Sequence, residues 1–88
     1  MVRHKPTDTS TEDHRVLGRA LRELRDQTGL TQEELGARAK IGVPYLSQIE
    51  NGHRGVGWHT VMRILRASNA DVEQLGKAIG KQERKPGS

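Results

Sequence analysis

The chain has 88 residues, of which 32% are hydrophobic and 2% aromatic, with no Phe, no Cys and a formal net charge of +4. That size suits one small domain with a thin core of Leu, Ile, Val and Ala, and it excludes a disulfide framework or a thiolate metal site. No apolar run is long enough to span a membrane and no signal-peptide pattern precedes the first helix, so cytoplasmic residence is expected.

Residues 1–11 (MVRHKPTDTST) are polar and lack periodicity, which predicts a flexible arm. A first helix is expected from about Glu12 to Thr28. Ser10 with Asp13, or Thr9 with Glu12, has capping-box spacing. Val16, Leu17, Ala20, Leu21 and Leu24 form one apolar stripe at helical spacing. Gly29 can adopt the left-handed conformation that ends a helix.

Thr31 and Glu34 match the S/T-x-x-E box that starts a second helix, about 32–39, with Leu35 and Ala39 inward. Gly36 inside it costs roughly 1 kcal/mol against Ala, which implies close approach of the next helix. After the turn Lys40-Ile41-Gly42, a third helix is expected over about 43–51. Gly42 is its N-cap and Pro44 lies in its first turn, where a missing N–H is harmless. Asn51 and Gly52 tolerate positive φ and would end it. The glycine-rich, basic loop NGHRGVG follows no strand, which excludes a dinucleotide-binding reading. A fourth helix, about 58–68, would bury Trp58, Val61, Met62 and Leu65, with Trp58 as a core anchor. Asp71 and Gln74 have capping-box spacing for a fifth helix, about 72–79, with Val72, Leu75 and Ile79 inward. Residues 81–88 are polar and are expected to form a flexible tail.

No stretch alternates as a β-strand does, so the fold class is all-α. Charge is distributed unevenly along it. Between Leu35 and Ala70 the only acid is Glu50, against Arg38, Lys40, Arg54, Arg63 and Arg66. Such a basic face attracts polyanions. The histidines His4, His14, His53 and His59 show no metal-ligand spacing, and no nucleophile stands in a recognisable motif. An enzyme, a metal site and a cofactor are therefore not expected.

The segment LRELRDQTGLTQEELGARAKIGVPYLSQIENG resembles the phage-repressor-like, or Xre/Cro-type, helix-turn-helix domains. The resemblance rests on L-T-Q-E-E-L opening the second helix and Y-L-S-Q-I-E-N-G closing the third, and it covers roughly Val16 to Ile79. It implies a compact, lambda-repressor-like bundle of five helices that binds double-stranded DNA, as a homodimer at least when DNA-bound, and regulates transcription as a repressor. By that resemblance the third helix enters the major groove and presents Val43, Pro44, Ser47 and Gln48 to the bases. Gln48 can pair two hydrogen bonds with adenine, while Val43 and Pro44 can pack on a thymine methyl. Gln32, Lys40, Tyr45, Asn51, His53 and Arg54 are the expected phosphate contacts. For Lys40, as for Arg38, a solvated surface charge is an equal reading. Arg3, His4 and Lys5 in the arm are further basic residues that could follow the phosphate backbone. Arg25 and Glu50 are expected to form an ion pair between the first helix and the end of the third. The chain departs from the family's pattern at Lys40 and Asn69, where glycine is usual, and at Gly36, where alanine is common. No small-molecule ligand is evident. The alternative function is a protein-interaction module, such as an antitoxin-like partner, that uses the same fold.

Overall fold

Local capping chemistry sets where two of the helices begin, and the core then locks all five together. A computed structural model describes residues 6–83, with side chains from residue 11 onward. Its helices are α1 (Pro6–Thr28), α2 (Gln32–Ala39), α3 (Val43–Glu50), α4 (Trp58–Ala67) and α5 (Val72–Glu83), and there is no strand among the described residues. The all-α, five-helix fold expected from the sequence is the fold found. No described helix is long and apolar enough to cross a membrane.

At α2 the Glu34 amide donates to Thr31 Oγ1 at 3.0 Å, and the Thr31 amide donates back to the Glu34 carboxylate at 2.9 Å. At α5 the Gln74 amide donates to Asp71 at 2.9 Å and the Asp71 amide donates to Gln74 at 3.0 Å. Each box satisfies N–H groups that a helix start leaves without partners. Lys40 closes α2 in the left-handed region, at φ 59° and ψ 49°. A side chain there costs about 1 to 2 kcal/mol that a glycine would avoid.

Leu21, Leu35, Leu46, Ile49, Ile64 and Leu65 are fully buried and supply the centre of the core, with Leu75 and Ala78 joining from α5. The most extensive packing is α1 on α5. α1 also packs on α3, and α2 packs on both α3 and α4. Two glycines let backbones meet. A Cβ on Gly36 would lie 2.6 Å from the Ile41 carbonyl oxygen, so the close approach is to the turn that leads into α3. A Cβ on Gly18 would collide with the carbonyl oxygens of Ile49 and Glu50, so α1 lies directly against the last turn of α3.

Several boundaries and burials differ from the expectation. α1 starts at Pro6, so residues 6–11 are helical and neither Thr9 nor Ser10 stands at its beginning. Proline is favoured at a first helical position because its φ is already helical. α5 continues to Glu83, because Lys81 and Gln82 reach Glu23 of α1 at 2.6 and 3.2 Å. The basic residues Arg3, His4 and Lys5, and the tail beyond Glu83, lie outside the described residues. At the end of α3 only Gly52 takes a positive φ, 75°, while Asn51 remains right-handed.

Trp58 is not a core anchor. It is 60% exposed, and Val72 is 50% exposed. Both are first residues of their helices. Their spacing places them on the apolar stripe, but the first turn of each helix overhangs the core. Ile64, which the sequence stripe omitted, is fully buried in α4. Leu46→Ala should therefore cost about 2 to 5 kcal/mol of stability in urea denaturation. Trp58→Ala should cost less than about 1 kcal/mol in the same experiment.

Candidate nucleic-acid interface

The helix α3 has two chemically distinct faces. Leu46, Ile49 and Glu50 are buried, whereas Pro44 and Gln48 are exposed and Val43, Tyr45 and Ser47 are half-buried. Val43, Pro44, Ser47, Gln48 and Asn51 follow one another along the outer side at the one- and three-residue steps of a helical stripe. That stripe carries no formal charge. Asn51 closes the helix and its amide donates to the Ser47 hydroxyl at 3.4 Å. Gly42 caps the other end without a side chain, so the first turn of α3 is open to solvent groups.

What holds this helix in place is a buried polar junction. Arg25 donates from Nε to Glu50 Oε2 at 2.7 Å and from Nη2 to Oε1 at 2.8 Å. Its Nη1 donates to the Leu30 carbonyl at 2.9 Å, and Gln32 Nε2 donates to Glu50 Oε1 at 3.0 Å. One carboxylate thus ties α1, the start of α2 and the end of α3. The hydrogen bond from Arg25 to Glu50 raises the arginine's pKa against the opposing effect of burial, and the charges of Glu50 and Asp26 add to it. A raised pKa makes the stabilisation complete below the unfolded-state value and removes it only as pH climbs through the folded one. For an arginine that lies far above neutrality, so the guanidinium remains charged wherever the domain is folded.

The expected phosphate contacts divide into separate groups. Gln32 turns its carboxamide inward, which commits one N–H to Glu50 and leaves the second for a ligand. Exposed Glu33 beside it adds negative charge, which works against a phosphate there. Arg54 lies over the ring of Tyr45 in a cation–π contact, its guanidinium carbon 5.1 Å from the ring centroid. Arg54 donates no side-chain hydrogen bond among the described residues, so its N–H groups stay available. Tyr45, half-buried against the core, anchors that arrangement beside α3. His53 and Arg54 are exposed in the loop after α3. Lys40 is not with this group. It lies past the opposite end of α2 from Gln32, about 12 Å along an eight-residue helix, in a cleft with Arg38, Arg63 and Arg66.

Residues 16–78 match the family described as a helix-turn-helix domain. The chain belongs to the helix-turn-helix domain family. Its phage-repressor-like form is the one that the sequence motifs imply. The propionyl-CoA carboxylase regulator of Cereibacter sphaeroides is 41% identical over 58 residues, 66% of this chain and 13% of that protein. The HTH-type transcriptional regulator DdrOP3 of Deinococcus deserti is 32% identical over 59 residues, 67% of this chain and 46% of that protein. The matched region thus spans less than half the length of either relative. Among solved structures, the restriction-modification controller protein C.AhdI from Aeromonas hydrophila superposes with a TM-score of 0.69 at 30% identity, covering 73% of this chain and 97% of that one. The clp gene regulator ClgR from C. glutamicum gives a TM-score of 0.71 at 31% identity, covering 78% and 90%.

In this helix-turn-helix domain several contributors escape the sequence motifs. Gly18 is one, because nothing in its surroundings distinguishes it from a surface glycine. Arg63 is another. It donates to the carbonyls of Ala39 and Lys40 at 2.9 and 2.6 Å and so closes the C-terminus of α2 from α4. The loop after α3 packs on α1, where a Cβ on Gly55 would meet the His14 ring at 2.8 Å. The buried junction gives a direct test. Glu50→Ala leaves Arg25 buried without its partner and should cost about 3 to 5 kcal/mol. Replacing both partners by apolar residues, Arg25→Met with Glu50→Leu, should cost less than Glu50→Ala alone in the same denaturation assay.

Proposed function

We propose that this domain binds double-stranded DNA in a sequence-specific manner and regulates transcription, acting as a repressor. The observation that carries this reading is the outer stripe of α3. It is exposed at Gln48 and Pro44, uncharged, and backed by a buried junction that fixes its direction. A helix of eight residues has no stability of its own, so its orientation comes from that backing. Placed in a major groove, Gln48 would read adenine with two hydrogen bonds, Ser47 would accept or donate, and Val43 and Pro44 would pack on thymine methyls.

Phosphates on either side would go to the free N–H of Gln32, to Asn51, His53 and Arg54, and to the hydroxyl of Tyr45. Lys40 would add positive charge from the far end of α2. These contacts position the domain, and the α3 stripe specifies the sequence. Two copies on a two-fold-related site would place their half-sites about 10 bp apart, or a multiple of that. Binding over a promoter would then exclude other proteins from it, which is repression.

A protein-interaction module is the reading from a different class. It calls for a continuous apolar surface on α3. Pro44 is the one exposed apolar residue of that helix, and its neighbours Val43 and Tyr45 are half-buried. The stripe therefore favours nucleic acid. Titration of labelled duplexes at two salt concentrations separates the classes, since each neutralised phosphate releases counterions and steepens the salt slope. Gln48→Ala should weaken the preferred site by about 1 to 3 kcal/mol and relax preference at one base position. Arg54→Ala should weaken all duplexes alike and flatten the log–log salt slope by about 0.9. Duplex binding that ignores salt, or no binding even at low salt, would sink this reading.

A further inference from the structure

We propose that the cleft between the C-terminal ends of α2 and α4 is a second anion site, which holds a phosphate group away from the outer stripe of α3. Arg38, Lys40, Arg63, Arg66 and Asn69 line it, and no acidic residue does. The cluster needs an explanation, because like charges gathered in one cleft repel each other.

One candidate explanation is local. Both α2 and α4 end here, and a helix C-terminus attracts cations. The magnitudes do not match. Each terminus is equivalent to about half a negative charge, so two of them offset about one of the four cations that line the cleft. Arg63 alone accounts for that share, since it donates to Ala39 and Lys40 carbonyls at the end of α2. Arg38, Lys40 and Arg66 form no ion pair or hydrogen bond through their side chains among the described residues. A surplus of about three positive charges remains over the helix ends.

A second observation concerns the backbone at these helix ends. Among the described residues, the non-glycine positions with positive φ are Lys40, at 59°, and Asn69, at 56°. Both line this same cleft. Glycine would take either conformation without strain, yet each position instead carries a hydrogen-bond donor. Both are the ordinary left-handed closure of a helix, and they turn the chain so that the two helix ends share one cleft. Arg63, fixed by its two carbonyl partners, supplies a rigid wall, and Arg38, Lys40 and Arg66 supply mobile N–H donors around it. Guanidinium groups and an ammonium in this number suit a phosphate with more than one negative charge. That phosphate belongs either to a free phosphorylated ligand or to the backbone of a duplex flank.

The test uses the full chain and has two arms. In the first, isotope-labelled protein is titrated with tripolyphosphate at low salt and amide shifts are followed. The expected result is saturable binding with shifts confined to Lys40, Arg66, Ala67, Asn69 and their neighbours, and with Ser47 and Gln48 unmoved. Arg38→Gln with Arg66→Gln, both at exposed positions, should weaken that binding at least tenfold without changing the helical circular dichroism. In the second arm, the same double variant is titrated with duplex. A salt slope flatter by about 0.9 for each lost phosphate contact identifies the duplex backbone as the source, and an unchanged slope beside a positive first arm identifies a free ligand. The site is refuted if tripolyphosphate shifts are absent or spread evenly over all cationic surfaces and the duplex slope is also unchanged. Should the double variant lose its helical signal, the localisation of shifts in the unaltered protein decides alone.

Discussion

The carboxylate of Glu50 accepts hydrogen bonds from two other elements at once, and the geometry of the helix-turn-helix pair depends on it. Arg25 reaches it from α1 with two N–H groups and Gln32 reaches it from the first turn of α2. Removing two charges from water is expensive, and three good hydrogen bonds on the acid roughly offset that cost. The net stabilisation is therefore small beside that of the leucine core. Its consequence is angular. A carboxylate at the last residue of α3 that must face both α1 and α2 leaves that helix only one rotation about its axis. The same rotation brings Gln48 to the outside and Leu46 and Ile49 to the inside.

Backbone contacts reinforce that rotation. Gly18 brings α1 onto the carbonyls that end α3, and Gly36 brings α2 onto the carbonyl of Ile41 just before α3 begins. The short helix is thus gripped at both ends by surfaces without side chains, where any shift becomes a collision. A surface held so firmly would lose little conformational entropy on binding, which favours both affinity and discrimination.

Much of this was legible in the sequence because the relevant physics is local. The boxes at Thr31 and Asp71 need only side chains three residues apart, and Leu17, Ala20, Leu21 and Leu24 repeat at helical spacing within α1. Family resemblance supplied what spacing could not, namely that Arg25 and Glu50 face each other across 25 residues. The failures share a cause. Periodicity gives the face on which Trp58 and Val72 lie but not where the core stops along the helix axis, and both lie beyond its edge. The start of α1 and the end of α5 extend beyond the expected bounds because polar composition reads as an arm or tail. α5 nevertheless continues through Lys81 and Gln82, which find Glu23 on a distant helix. Arg63 is exposed, as its place in the basic stretch suggests, but its carbonyl partners come from another element and no spacing reveals them. Gln32 shows the subtlest difference, because a residue expected to face a ligand is also part of the internal junction.

The charges and the candidate base-reading groups occupy different places, and this separation shapes how such a domain can work. Val43, Pro44, Ser47 and Gln48 are neutral, whereas Arg54 lies beside α3 and Arg38, Lys40, Arg63 and Arg66 gather at the ends of α2 and α4. The acids of α2 stand in its first turn and its base in the last, the order that the helix dipole favours. Glu50, the one acid within the basic stretch, is neutralised inside. A polyanion would therefore meet an attractive field that contains no sequence information, and then an uncharged stripe to which the proposed reading assigns it. Counterions compete with the field and not with the stripe. On the proposed reading, attraction and discrimination would be set by different residues, and a substitution that alters one would leave the other to the groups that still supply it.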